Sequence, residues 1–303
     1  MTSAALRATP TWHGVVMAQL RVVGSALRGP AFVAAGLAVP ATLLLIEFAP
    51  ADGVLDFRPE RQELLFGGLG LLVATGIWFG DERIGSGFLW TLPVDRRSHA
   101  LARVFAGWVW LMGVVMLAML WLLAVSVFTG GSVMAEESIR LISPPERAFS
   151  FPAGDTLDAG AVQTVQWTPT PILWLVPFAA ATGVYLIASA MALGMRQPVR
   201  WAAGIALAVY LVAGLVQDVN PNWPSTPPGR VLHGVFDGRY GLDALLTART
   251  GSLKTEATLT TGERVVVWRA LPDLGHWAVA TMLWTGAGLI GLLAAASRHR
   301  ERR

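Results

Sequence analysis

The sequence predicts an all-α membrane protein with six transmembrane helices and both termini in the cytoplasm. An interfacial N-terminal helix and a small extracytoplasmic cap containing some β-strand complete the expected fold. Two observations lead there. Of the 303 residues, 54% are hydrophobic and only 14% are charged, where a soluble domain carries about 25% charged residues; mean hydropathy is +0.53. The charges that do occur lie between six charge-free runs, most of them near the ~20 residues a helix needs to cross ~30 Å of hydrocarbon. One such run could be a buried helix of a soluble protein. Six would leave too little polar surface to cover them.

Residues 1–28 form the cytoplasmic N-terminus and an amphipathic helix. Trp12, Val15, Val16, Leu20, Val23 and Leu27 recur at helical spacing, with His13, Arg21 and Arg28 as polar positions, a pattern that lies in the membrane interface. No short apolar core follows Met1, so the segment is expected to be retained rather than cleaved as a signal. Residues 29–217 hold five spans: Gly29 to Ile46 with a kink at Pro40, Leu64 to Gly80, Val104 to Phe128, Pro171 to Leu193, and Trp201 to Val216. Residues 273–303 hold the sixth, Leu274 to Ala296, and a basic cytoplasmic tail.

Two segments are expected outside. Residues 129–170 contain Ser143-Pro144-Pro145 and suggest an irregular or short-stranded loop. Residues 218–272 begin with the Pro-rich stretch Pro221 to Pro228. They continue as Leu253 to Leu259 and Arg264 to Ala270 around Thr260-Thr261-Gly262-Glu263. Alternating residues on either side of a Gly-containing turn predict a β-hairpin.

Orientation follows from Lys and Arg, which concentrate on the cytoplasmic side. Arg7, Arg21, Arg28, Arg83, Arg96, Arg97, Arg103, Arg196, Arg200, Arg298, Arg300, Arg302 and Arg303 fall there. They face only Asp81, Glu82, Asp95 and Glu301. The placement also explains the net charge of +3 without nucleic acid as a partner; the partner implied is a lipid bilayer.

Chemistry is sparse. With no cysteine, disulfides, thiolate metal sites and cysteine nucleophiles are excluded. No phosphate-binding Gly-x-x-x-x-Gly-Lys-Ser/Thr loop occurs; Gly251-Ser252-Leu253-Lys254-Thr255 is a superficial near miss. The histidines His13, His99, His233, His276 and His299 avoid the middles of the spans and share no metal-ligand spacing. The spans hold small, weakly polar residues such as Thr75, Ser126, Thr182, Ser189, Thr281 and Thr285. Such residues suit close helix packing, or a path for an amphipathic cargo. No catalytic, cofactor-binding or metal site is expected. Of the 13 tryptophans, Trp12, Trp78, Trp90, Trp167, Trp174, Trp201, Trp268 and Trp277 fall near the expected interfaces, as aromatic belts do.

The cytoplasmic loop, residues 81–103, is the informative one. Its first seventeen residues run Asp81-Glu82-Arg83-Ile84-Gly85-Ser86-Gly87-Phe88-Leu89-Trp90-Thr91-Leu92-Pro93-Val94-Asp95-Arg96-Arg97. Gly85 and Gly87 let the chain turn as it leaves the bilayer. Pro93 disfavours helix at the residue before it. Phe88, Leu89 and Trp90 make an apolar knob of the type that anchors interfaces. Glu82, Asp95, Arg96 and Arg97 supply a polar rim.

This stretch resembles the permease subunits of ABC-2 type exporters. In those proteins the second span is followed by an acidic-basic pair, a glycine, a short apolar helix, then Leu-Pro-(Val/Ile)-(Ser/Asp)-Arg. Glu82-Arg83, Gly85, Gly87 and Leu92-Pro93-Val94-Asp95-Arg96 match. Ser86-Gly87 departs where a Gly-Thr pair followed by an acid is common.

The resemblance implies a coupling helix that contacts a separate ABC ATPase through Glu82, Arg83, Ile84, Gly85, Gly87, Phe88, Leu89, Trp90, Leu92, Pro93, Asp95 and Arg96. It implies ATP and Mg bound by that ATPase rather than by this chain, and a second permease subunit, identical or different. It places the chain in the bacterial cytoplasmic membrane, exporting an amphipathic, lipid-like or drug-like substrate. A non-transporting scaffold or sensor, binding a partner through its outer loops, is the alternative that their length leaves open.

Overall fold

A computed structural model describes residues 12–47, 55–59, 62–83, 96–143, 156–195, 226–236, 240–248, 254–268 and 273–298, with isolated positions between 197 and 208 and at Leu271. The described chain is mostly helical, with one small sheet. Its elements are helices α1 (Trp12–Glu47), α2 (Glu63–Arg83) and α3 (Arg96–Phe128), then strands β1 (Glu137–Ile142), β2 (Thr156–Leu157) and β3 (Val162–Trp167). Helices α4 (Val176–Gly194), α5 (Pro227–Phe236) and α6 (Leu242–Thr247) follow, then strands β4 (Lys254–Leu259) and β5 (Arg264–Trp268) and helix α7 (Leu274–Arg298). A 3-10 turn, Pro171–Leu175, leads into α4.

Among the described residues, three stretches are long and apolar enough to cross a membrane: Arg97–Phe128, Pro171–Gly194 and Leu274–Ser297. They correspond to the third, fourth and sixth expected spans. The second coincides with α2, whose apolar stretch Leu65–Trp78 is shorter. The fifth, Trp201 to Val216, lies almost wholly outside the described residues. Apolar side chains point outward along these helices. Phe128 is 89% exposed, Leu117 69% and Ile290 70%, and a surface of this kind marks an apolar environment or a partner.

At the N-terminus the expectation needs correcting. The amphipathic segment and the first span do not separate into an interfacial helix and a spanning one; both belong to the continuous helix α1. Gly29-Pro30 and Pro40 are local break signals, and the helix runs through both. Helix α3, itself 33 residues long, runs beside α1 in the same direction. Gln19 Nε2 donates to His99 Nε2 at 3.3 Å, Trp110 Nε1 to Leu20 O at 3.0 Å, and Trp121 Nε1 to Thr42 Oγ1 at 3.0 Å. Trp110 also fills the space left by Gly24.

The other helices meet through small residues. An added Cβ on Gly70 of α2 would fall 2.5 Å from Ala181 O of α4. Gly107 of α3 lies against Ile77 and the Tyr185 hydroxyl. Gly288 and Gly291 of α7 face Leu186 and Ala190 of α4, and Gly194 faces Ala295. The order of these pairs makes α4 and α7 parallel. Close backbone approach is what replaces the hydrophobic effect between helices in lipid.

Strands come from both segments expected outside and join into one sheet, ordered β2-β4-β5-β1-β3. The β4–β5 hairpin pairs Lys254 with Trp268 through Thr258 with Arg264, and Gly262 takes the left-handed φ of +84° that its turn requires. β1 and β3 pair antiparallel, Glu137 with Trp167 through Ile142 with Val162. Two parallel joints close the sheet, β1 to β5 at Leu141–Trp268 and β2 to β4. Ile142, Leu157, Ala257, Val265 and Val267 form its small core. The sheet sits where α3 ends and α4 and α7 begin. Trp268 and Trp277, expected in an interfacial belt, are buried there instead.

Candidate functional site

Of the expected coupling residues, Glu82 and Arg83 close α2 and Arg96 opens α3. Ile84, Gly85, Gly87, Phe88, Leu89, Trp90, Leu92, Pro93 and Asp95 lie outside the described residues. The structure therefore supplies the frame of the segment: two antiparallel helix ends with twelve residues, 84–95, strung between them.

That frame is braced from within. Arg103, two turns into α3, is only 5% exposed. Its Nη2 donates to the backbone carbonyl of Ile77 on α2 at 2.7 Å. Its guanidinium also stacks over the Trp78 ring, 5.4 Å from the centroid. The planar, delocalised guanidinium suits this double use, as an ammonium would not. One residue along α3, the Val104 carbonyl accepts a 2.7 Å hydrogen bond from the Tyr185 hydroxyl of α4, with Tyr185 fully buried. Trp108 Nε1 donates to Thr182 Oγ1 at 3.1 Å, and on the α1 side His99 receives the Gln19 amide.

Polar contacts therefore tie α1, α2 and α4 to the first three turns of α3. All of these groups lie in or against apolar helix surface, where a hydrogen bond with a charged donor contributes about 1.5–3 kcal/mol and an orphaned group costs as much. Arg103, Tyr185 and Gln19 thus link α3 to α2, α4 and α1.

The sequence puts Arg103 and His99 in the cytoplasmic loop 81–103, ahead of the third span. Both belong to α3, and Arg103 is buried. The signal was present: Ala100, Leu101, Ala102 and Val104 surround Arg103 with helix-forming apolar residues, and α3 begins at Arg96. Gln19 and Tyr185 carried no signal beyond their polarity.

At the opposite end a second buried arginine organises the connection between α1 and α2. Arg58 Nη2 donates to Ala135 O at 2.9 Å, Nη1 pairs with Glu137 at 3.3 Å, and the guanidinium lies 5.6 Å from the Trp167 ring centroid. Next to it, Phe57 N donates to Ser132 O at 2.9 Å, and Asp56 Oδ1 accepts from Ser132 N at 2.9 Å. Residues 55–59 are thereby stitched to the α3–β1 linker. Among the described residues, no three His, Cys, Asp or Glu side chains gather in a way that could hold a metal ion.

No protein-family model matches the chain, and neither the curated proteins nor the solved structures contain a match.

Proposed function

We propose that this chain is the membrane permease subunit of an ABC-2 type ATP-driven exporter. In this reading it crosses the cytoplasmic membrane six times, α1, α2, α3, α4 and α7 accounting for five of the crossings and Trp201 to Val216 for another. Both termini lie inside and the sheet caps the outer side. A separate ATPase binds ATP and Mg and docks on Glu82 to Arg96. A second permease subunit, the same chain or a relative, completes the conduit, and the cargo is amphipathic, lipid-like or drug-like.

One observation carries the reading. The segment with the exporter-like pattern, Glu82-Arg83, Gly85, Gly87 and Leu92-Pro93-Val94-Asp95-Arg96, joins two antiparallel apolar helices, and a buried Arg103 ties those helices together about two turns from the ends it joins. A short lever mounted on a rigid base is what a cytoplasmic motor needs in order to move membrane helices. The weakly polar side chains inside the bundle suit a cargo without full charge, since charges at depth are costly and would call for partners.

The test is co-purification of the chain with ABC ATPases co-expressed from the same genome, before and after replacing Phe88, Leu89 and Trp90 together by Ala. The expected result is loss of the complex and of permease-dependent ATP turnover. An intact complex with unchanged turnover would refute the assignment.

A folded sheet of five strands built from both outer segments favours one second reading, a scaffold or sensor that binds a partner through the sheet. In that case the triple substitution leaves function intact, and substitutions on the sheet abolish it.

A further inference from the structure

The sheet has two unlike edges. On one side it ends in β2, two residues long, which offers an incoming strand almost nothing. On the other it ends in β3, Val162–Trp167, and among the described residues no strand lies beyond it. Sheets blunt a long edge with lysine, proline or a bulge, because its unused N–H and C=O groups are a template for another strand. Val-Gln-Thr-Val-Gln-Trp has neither lysine nor proline, and its register with β1 runs through all six residues without a bulge. Among the described strands longer than two residues, β3 alone carries no charge: β1 holds Glu137 and Arg140, β4 Lys254 and Glu256, and β5 Arg264.

The faces of the sheet fix how that edge is presented. Ile139, Val165, Trp167 and Trp268 pack together on one face; Arg140, Thr164 and Gln166 stand exposed on the other. The first face rests on the bundle, since Trp167 packs against the cluster that holds Val176 at the start of α4 and Trp277 near the start of α7. The sheet therefore lies across the helix ends, with its normal close to the helix axes. Two copies in one membrane share an orientation, so a two-fold axis relating them runs along the membrane normal and hence across the sheet. A two-fold normal to a sheet is the operation that sets a strand antiparallel to its own copy, the same patch serving on both subunits.

We infer that β3 is the docking edge for a second copy of this chain, the two β3 strands pairing antiparallel so that the two sheets become one continuous sheet. The inference deepens the exporter reading above, which calls for a second permease subunit, and rests on it for the shared orientation of the copies. A two-fold contact brings each residue near its own copy, so a charge in the middle of β3 would meet its like, which is destabilising in directly opposed strand positions. The neutral strand avoids that. Opposed residues must lie on the same face of the sheet, which leaves two registers about the middle of β3. In one, Thr164 faces its own copy; in the other, Val165 does, and Thr164 faces Gln166, a hydroxyl meeting an amide on the exposed face.

The native chain has no cysteine, which makes disulfide trapping direct. Thr164→Cys, the double variant Thr164→Cys/Gln166→Cys and, as a reference at the exposed hairpin tip, Thr261→Cys are oxidised in native membranes and run on gels without reductant. Opposed Cα atoms lie about 4.5–5.5 Å apart, within disulfide reach. The single variant therefore reports the register centred on Thr164, and the double variant also the one centred on Val165. At least one of the two should give a linked homodimer about tenfold more abundant than Thr261→Cys gives, since only opposed positions meet disulfide geometry.

Linkage no greater than at 261 in both variants would overturn the inference. If the chain is still dimeric by light scattering in that case, the exporter reading keeps its second subunit through another surface. Strong linkage at β3, with the ATPase complex unchanged when Phe88, Leu89 and Trp90 are replaced by Ala, leaves the β3 contact standing while the coupling assignment falls.

Discussion

The two ends of the helix bundle are each organised by a buried arginine lying over a tryptophan, and the arginines hold different things. At the sheet end, Arg58 pairs with Glu137, donates to Ala135 O and stacks on Trp167. It pins five residues of connecting chain to a sheet. At the other end, Arg103 donates to Ile77 O and stacks on Trp78. It pins one helix to another. An ion pair to a side chain can fix a loop that has no regular partner. A bond to a helix carbonyl fixes the axial register of two helices, because the carbonyl has no rotamer to change. The first arrangement anchors a connecting segment to the sheet; the second fixes one helix against another.

Substitutions between and within the two ends sharpen the contrast. The largest effect is expected in the packing both ends depend on: Gly70→Leu drives side-chain volume into the backbone of α4 at Ala181, with no flexible group to yield. Overpacking of this kind costs about 3 kcal/mol and should show as loss of folded protein in detergent. Gly68→Leu, two residues away with nothing within 4 Å, should stay within about 0.5 kcal/mol of the parent.

Next come the arginines. Glu137→Ala leaves Arg58 buried beside an empty partner position and should destabilise the protein by about 3 kcal/mol, read as a lower unfolding temperature. Arg103→Met keeps the bulk of the side chain and removes the bond to Ile77 O. A cost of about 2 kcal/mol is expected, together with a fall in ATPase stimulation that Glu137→Ala does not produce. Equal loss of stimulation in both would erase the proposed difference between the ends. The smallest effect belongs to Arg140→Ala. Its pair with Glu263 at 3.2 Å is exposed on both sides, so the change should be below about 0.5 kcal/mol and vanish in high salt.

The helices were legible because charge marks their ends. Leu64 to Gly80 lies within α2 and Leu274 to Ala296 within α7. Where a charge is buried, the same logic misplaces a boundary: Arg103 marks the expected edge of the third span, and α3 continues two turns beyond it, to Arg96. The hairpin was legible because Thr260-Thr261-Gly262-Glu263 states its turn locally, and Gly262 adopts the required φ.

The sheet as a whole was not legible, because its joints at Leu141–Trp268 and Leu157–Leu259 link segments far apart in the chain and leave no periodic trace in either. The same holds for α6, whose Leu242-Asp243-Ala244-Leu245-Leu246-Thr247 is too short for a periodicity to show. The candidate site was legible as a motif only. Its spacing announces a turn, a knob and a stop; the bracing by Gln19, Arg103 and Tyr185 depends on tertiary contacts that no local pattern encodes.

The central claim is that residues 84–95 meet a motor protein in the cytoplasm. A photo-crosslinking residue placed at Trp90, with a second variant carrying it at Thr261 in the hairpin turn, tests it in intact membranes. The account requires that irradiation at position 90 joins the chain to an ATP-binding polypeptide, and that irradiation at position 261 does not. Capture of a protein partner at 261, with only lipid or nothing captured at 90, would contradict it.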